Sequence, residues 1–131
     1  MNHIDSKQLK RYYTMLNMNA LNKALNNANL STIVTVESIG IENFTSDRGN
    51  IIANQFEILI NGTDTRYRVF QSYETIIAVK CAGHTVLDEK ALEYSATTLK
   101  YLKLFLGTCA TKKELYKRIE QGEYLTADLN K

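Results

Sequence analysis

The chain contains no proline and no tryptophan, and only two cysteines occur among its 131 residues. The missing proline accompanies many Asn, Ile, Lys and Tyr residues, whose codons are rich in A and T, so we expect a gene from a low-GC bacterium or from a phage that infects one. Cys81 and Cys109 lie far apart and form no CxxC pair. We therefore expect two free thiols in a reducing cytosol, not a disulfide framework or a zinc site.

Long apolar runs and a strong net charge are also lacking. No stretch approaches the ~18 consecutive apolar residues of a membrane span. The first residues, Met1–Asp5, show no basic-then-apolar secretion pattern, so we expect a protein of the host cytosol. The formal net charge is +2, which excludes an acidic mimic of DNA and is too mild to predict nucleic-acid binding by itself.

Recognisable catalytic motifs are missing as well. Nothing resembles a nucleophile elbow, a phosphate-binding loop or a zinc-protease helix. Cys81 and His84 are separated by a predicted two-residue turn, but that offset does not reliably bring a thiol and an imidazole within hydrogen-bond reach. Asp88, Glu89 and Glu93 carry the carboxylates that a divalent cation prefers, although such acids are typical of a solvated loop. We expect no enzyme, no cofactor and no metal site.

The residues that are present predict a single α+β domain over 1–131. A hydrophobic content of 44% is sufficient for a core. Apolar residues at three- and four-residue spacing predict an N-terminal helix over about 7–27, capped by Asp5 or Ser6. From Ser31 the period changes to two and predicts an antiparallel meander of about four or five strands, with a hairpin turn at Asn61-Gly62.

Two helices are predicted after the meander. The first begins near Ser95 or Thr97 and ends at Gly107, which suits a left-handed C-terminal cap. The second begins at the capping box Thr111–Glu114. A final edge strand is expected within 123–129.

Four segments in the second half of the chain carry a family resemblance. They are the motifs Phe70–Ala78, Tyr94–Tyr101, Phe105–Gly107 and Thr111–Glu114. In this order the chain resembles small phage-encoded domains of unknown function, and the likeness runs from about Arg66 to the C-terminus. The resemblance implies a phage or prophage setting, where genes of this size often encode regulators or antagonists of host defence, including anti-CRISPR proteins. It supplies no activity and no catalytic residue.

Two groups of residues are candidate partner-binding sites. Arg66 and Arg68 share one face of a strand next to Tyr73, and Lys100 and Lys103 share one face of the first C-terminal helix. Arg and Tyr are common anchors of protein interfaces, so we expect these residues to contact a partner. The alternative for each group is an ordinary solvated surface.

A third candidate is an anion site formed by Ser95, Thr97 and Thr98. Their hydroxyls accompany the N-terminus of a helix, where free N–H groups and the helix dipole favour a phosphate. The alternative is ordinary capping of the helix by the same hydroxyls.

The leading functional hypothesis is a non-catalytic phage accessory protein that binds a host protein or nucleoprotein stoichiometrically, as an anti-CRISPR protein binds a CRISPR effector. One alternative is a small nucleic-acid-binding regulator that uses its basic C-terminal helices. A second is a binder of a small signalling nucleotide at the polar helix start. Self-association into a homodimer is also open.

Overall fold

A computed structural model describes residues 2–3, 16–26, 36–62 and 65–130. These residues form an α+β fold of three helices and one seven-stranded sheet. The strands are β1 (Asn2–His3), β2 (Val36–Thr45), β3 (Ile51–Gly62), β4 (Arg66–Ser72), β5 (Thr75–Cys81), β6 (His84–Asp88) and β7 (Leu125–Ala127). The helices are α1 (Met18–Leu25), α2 (Ala96–Leu106) and α3 (Lys112–Glu120).

The strands lie side by side in the order of the sequence. Every neighbouring pair is antiparallel except β6 and β7, which run parallel. The predicted meander is confirmed, but the expected four or five strands are too few. β1 was missed because a two-residue strand has no alternation to detect. The expected final edge strand is present as β7.

One face of the sheet packs against α1. Leu16, Met18 and Leu21 are buried there against strand residues that include Ile58 and Val69. The alternation of β3 and β4 explains this core, because every second side chain of a strand points to the same face. The helix predicted over 7–27 is wrong at residues 16 and 17, because Leu16 forms a β-bridge with Asn130 and Asn17 caps α1 by accepting from the N–H of Ala20 at 3.1 Å. The predicted caps Asp5 and Ser6 lie outside the described residues.

The opposite face packs against α2 and α3. Phe70 and Leu87 from the sheet are buried against Leu102, Phe105 and Leu115 from the helices. The two helices therefore cover the part of the sheet near the C-terminal half of β4.

The predicted start and end of α2 and the predicted start of α3 are confirmed. Ser95 caps α2, and Gly107 ends it at a φ of 71°. Thr111 and Glu114 form the expected capping box of α3. No helix in the described ranges is long and apolar enough to cross a membrane.

The predicted turn at Asn61-Gly62 is wrong by about two residues. Both residues continue β3, where Asn61 pairs with Arg66, and the hairpin closes between Gly62 and Thr65. Strand pairing takes precedence here over the turn preference of Asn-Gly, because the Asn61 side chain also bonds Ser38 on the neighbouring strand at 2.9 Å. The turn at Ala82-Gly83 is confirmed, with φ values of 51° and 78°.

Candidate functional site

α2 and α3 do not cover the whole of the sheet face on which they pack. Beyond the two helices, the open part of this face forms a groove of about 750 Å³. Its charged and ionisable lining comes from five strands: Glu42, Glu57, Arg66, Arg68, Lys80, Cys81 and His84. We call this surface the charged groove.

The alternation of side chains along β4 places Arg66 and Arg68, two of the predicted partner-binding residues, in the charged groove. Tyr67 and Val69 are buried on the α1 face, so Arg66 and Arg68 point to the opposite face, and both are exposed. Antiparallel pairing then sets Lys80 of β5 directly opposite Arg68. Two like charges in this position repel each other and destabilise a sheet. The groove thus concentrates positive charge where β4 and β5 pair.

Two contacts moderate this repulsion. Arg68 donates from Nε to Oε1 of Glu57 at 2.7 Å, and its Nη2 contacts the same oxygen. Lys80 donates from Nζ to the carbonyl oxygen of Phe105 at 2.5 Å and lies 4.7 Å from the centroid of the Phe105 ring. This carbonyl is in the last turn of α2, where the helix dipole favours a cation.

The pKa of Lys80 nevertheless lies below its ordinary value. Burial lowers the pKa of the Lys80 amine most, the neighbouring Arg68 cation lowers it further, and Glu57 opposes both effects. Arg66 is exposed and forms no ion pair with another described residue. Arg66 is therefore the cation of the groove that is most available to a ligand.

Tyr73 does not share the charged groove with the two arginines. It lies in the turn after β4, at the opposite end of that strand, and 62% of it is exposed. It has a φ of 53°, a conformation that bulky side chains rarely adopt. Two hydrogen bonds hold its backbone: its N–H donates to Asn54 O at 2.7 Å, and its carbonyl accepts from Gln71 Nε2 at 2.6 Å. Arg66 and Arg68 therefore lie toward one end of β4 and Tyr73 lies beyond the other, so the three residues do not form the single patch expected from the sequence.

The candidate anion site is occupied by its own hydrogen bonds. Ser95 Oγ accepts from the N–H of Thr98 at 3.1 Å, and the Thr98 hydroxyl contacts the hydroxyls of Ser95 and Ser72 at 3.0 Å each. Thr98 is only 3% exposed, whereas Thr97 faces solvent. Tyr73 and Tyr94 help to line a hollow of about 240 Å³ beside this helix start. The geometry supports ordinary capping of α2.

Lys100 and Lys103 lie on α2 and do not line the charged groove. Lys100 is exposed, with Nζ 5.6 Å from the centroid of the Tyr101 ring. Lys103 is close enough to Glu114 of α3 to help hold the pKa of that carboxyl below its ordinary value, after the larger effect of the Thr111 hydrogen bonds. The two lysines form a modest basic surface that is separate from the groove.

A second hollow, of about 410 Å³, is acidic. Asp88 lines this hollow and is 4% exposed, and its carboxylate accepts four hydrogen bonds. Glu89 also lines this hollow, whereas Glu93, the third acid in the predicted cation set, contacts Lys112 at 2.9 Å and the Tyr116 hydroxyl. Across the described ranges, no group of three or more His, Cys, Asp or Glu residues is arranged to hold a metal ion.

Cys81 and His84 are paired residues in the β5–β6 hairpin. Cys81 is nevertheless 5% exposed within the α1-facing core, and burial raises the pKa of its thiol to about 11. The thiol is therefore protonated at neutral pH, whereas a nucleophilic cysteine acts as the thiolate.

The sequence interpretation missed Lys80 and Glu57. A signal was available, because Lys80 is the only charged residue in the otherwise apolar β5 segment Thr75–Cys81. Aligning β5 against β4 through the turn at Tyr73 would have placed this lysine near Arg68. The bulge between Phe70 and Gln71 shifts that register by one residue, however, and could not be foreseen.

Residues 39–122 match the sequence profile of a family of unknown function (DUF8033). The chain belongs to this family. The family resemblance described from the sequence begins at about Arg66, whereas the profile match begins well before that residue. The matched range contains all the charged groups of the groove, together with α2 and α3. α1 and β7 fall outside the matched range. No curated protein and no solved structure matches the chain.

Proposed function

We propose that this DUF8033 protein acts without catalysis, by stoichiometric binding of a protein or nucleoprotein partner in the charged groove. One observation carries the proposal: the part of the sheet face that α2 and α3 leave open sets Arg68 directly opposite Lys80. An added anionic group would relieve the repulsion between these two cations, so partner binding would stabilise an arrangement that is unfavourable in the free chain.

The chemistry of the groove favours binding over catalysis. Arginine is permanently charged and only donates hydrogen bonds, which suits it to hold a carboxylate or phosphate and not to move a proton. Lys80 already donates to the Phe105 carbonyl. The nearby Cys81 thiol is held in its protonated form.

The kind of partner is suggested by the sequence motifs. Their resemblance to phage-encoded domains favours a component of host defence, such as a CRISPR effector. A net charge of +2 and a groove of mixed charge make DNA mimicry an unsuitable mechanism for such an antagonist. Covering a functional surface of the effector is the mechanism we propose.

Site-specific photo-crosslinking tests this proposal. A photoreactive phenylalanine analogue replaces Leu59 on the groove wall, and in a matched control it replaces the exposed Lys113 of α3. Both chains are expressed in cells that naturally carry the gene, irradiated, and examined by mass spectrometry for proteins and nucleic acid. We expect one defined partner to crosslink from position 59 and not from 113, and to form a complex of fixed stoichiometry by light scattering.

The opposite pattern, with crosslinking from position 113 alone, would place the interface on the helices and contradict the proposal. A crosslink to nucleic acid alone, from either position, would favour the regulator hypothesis. Turnover of the captured partner by the purified chain would contradict the non-catalytic mechanism.

A further inference from the structure

We infer that the charged groove receives an extended, acidic segment of a protein, with carboxylates on alternate residues; this inference rests on the proposed function. Arg66 and Arg68 are two residues apart on the same face of β4. At ~3.4 Å per residue, their Cα atoms are separated by about 7 Å along the strand. An extended peptide repeats its side chains on one face at the same interval, so Asp or Glu at positions i and i+2 can meet both arginines.

The fold limits where such a segment lies. The next residue on this face of β4, Phe70, is fully buried under α2, so the segment cannot continue over it. Arg68 and Lys80 therefore mark the inner end of the groove, and Arg66 marks its outer end. A carboxylate at the inner end would face two cations from neighbouring strands.

The existing ion pair leaves a surplus of positive charge for this carboxylate. Among the described residues that line the groove, three cations stand against the carboxylates of Glu42 and Glu57, and Glu57 already accepts from Arg68. An arginine has five N–H donors, so Arg68 can keep this contact and still donate to a second carboxylate. Arg66 can bind a carboxylate with both arms of its guanidinium.

An acidic protein segment fits the groove better than a nucleic acid does. Proteins that bind single strands combine cations with aromatic side chains on which the bases stack. Within the described lining, His84 is the single aromatic ring. Glu42 and Glu57 are neighbours across β2 and β3 and would repel a phosphate backbone. In a protein segment, a basic or polar residue can face these two acids and fix the register.

The experiment uses the full chain labelled with ¹⁵N and synthetic peptides of defined charge spacing. The probe is an eight-residue peptide in which Glu and Thr alternate. Its control, the block peptide, has the same composition but repeats two Glu and two Thr, so that no two Glu are two residues apart, and an eight-nucleotide thymidine strand provides phosphate without carboxylate. Each is titrated to millimolar concentration at low salt, because exposed charge pairs weaken as salt rises. NMR spectra record the chemical shifts of the backbone amides and of the arginine Nε–H groups at each titration point.

We expect saturable shifts at Arg66, Arg68, Lys80 and Thr85 with the alternating peptide, and about threefold or more weaker binding of the block peptide. Arg66→Glu and the milder Arg66→Gln should both abolish saturation, whereas Lys113→Glu should not. The amide spectrum of each free variant verifies its fold. Absence of saturable shifts, equal binding of both peptides, or tighter binding of thymidine at the same amides would overturn the inference.

The two proposals fail separately. If position 59 crosslinks to a protein partner but the alternating peptide gives no saturable shift, the inference about acidic segments is wrong and the proposed function stands. If position 59 captures no partner, the proposed function is wrong whatever the peptides do.

Discussion

Replacing Asp88 by Ala should destabilise the fold strongly, because this buried carboxylate joins three parts of the chain. Its Oδ2 accepts from the Tyr94 hydroxyl at 2.7 Å and from the N–H of Lys90 at 3.1 Å. Its Oδ1 accepts from the N–H of Leu129 at 3.1 Å and from Asn130 Nδ2 at 3.2 Å. The end of β6, the segment before α2 and the chain after β7 therefore meet at one side chain.

The expected loss in the free energy of unfolding depends on which hydrogen-bonding groups each substitution leaves without a partner. Asp88→Ala leaves the N–H of Leu129 without its acceptor beside a fully buried side chain. A hydrogen bond to a charged group contributes ~1.5–3 kcal/mol, but removing the charge also removes its desolvation penalty, so we expect a net loss of about 3 kcal/mol. Asp88→Asn keeps an acceptor for the Oδ1 bonds and turns a donor toward the N–H of Lys90, so we expect a loss of about 1–2 kcal/mol.

Equilibrium unfolding in urea, followed by circular dichroism, measures these losses. Tyr94→Phe serves as the matched single-bond control and should reduce the free energy of unfolding by about 1 kcal/mol. Combining Tyr94→Phe with Asp88→Ala should cost less than the two separate losses together, because both remove the same bond. An Asp88→Ala chain within about 0.5 kcal/mol of the unaltered protein would refute the reasoning and return Asp88 to the candidates for a functional acid.

Three further predictions concern single side chains. Iodoacetamide at neutral pH should label the exposed Cys109 and spare Cys81, whose thiol pKa is raised to about 11 by burial, and a Cys109→Ala chain that still reacts quickly in intact-mass analysis would contradict this. Tyr73→Gly should be more stable in urea than Tyr73→Ala by about 1 kcal/mol, because only glycine relieves the left-handed backbone at this position; equal stability would contradict the assigned strain. Hydrogen bonds from Tyr116 and Lys112 hold the pKa of Glu93 below its ordinary value, so this contact should stabilise the fold above the usual carboxyl pKa and be lost as the pH falls through the lowered one. Tyr116→Phe should raise the pKa of Glu93 in a ¹³C-carboxyl titration, and an unchanged pKa would show that the contact is absent in solution.

Local features of this fold could be predicted from sequence because neighbouring residues determine them. The capping box of Thr111 and Glu114 requires only four consecutive residues. Gly107 and the turn at Ala82-Gly83 likewise depend on backbone preferences at single positions. Alternation in β4 was also sufficient to separate Arg66 and Arg68 from the buried Tyr67.

The candidate site could be predicted only in part, because it depends on distant contacts. The groove exists because α2 ends beside Lys80, and that contact joins residues 25 positions apart. The role of Asp88 depends on Leu129, 41 positions away. Asn61 was misassigned because cross-strand bonds to β2 and β4 hold it in a strand despite its turn preference. The spacing of apolar and polar residues along the sequence does not reveal contacts between residues so far apart.

The affinity of the captured partner for two matched charge reversals tests the central claim most directly. Arg66→Glu and Lys113→Glu change the net charge equally, but only Arg66 lines the charged groove. If the groove binds the partner, titration calorimetry should show that Arg66→Glu weakens binding about tenfold or more while Lys113→Glu stays within about twofold. Equal losses in the two variants, or undiminished binding by Arg66→Glu, would contradict the account.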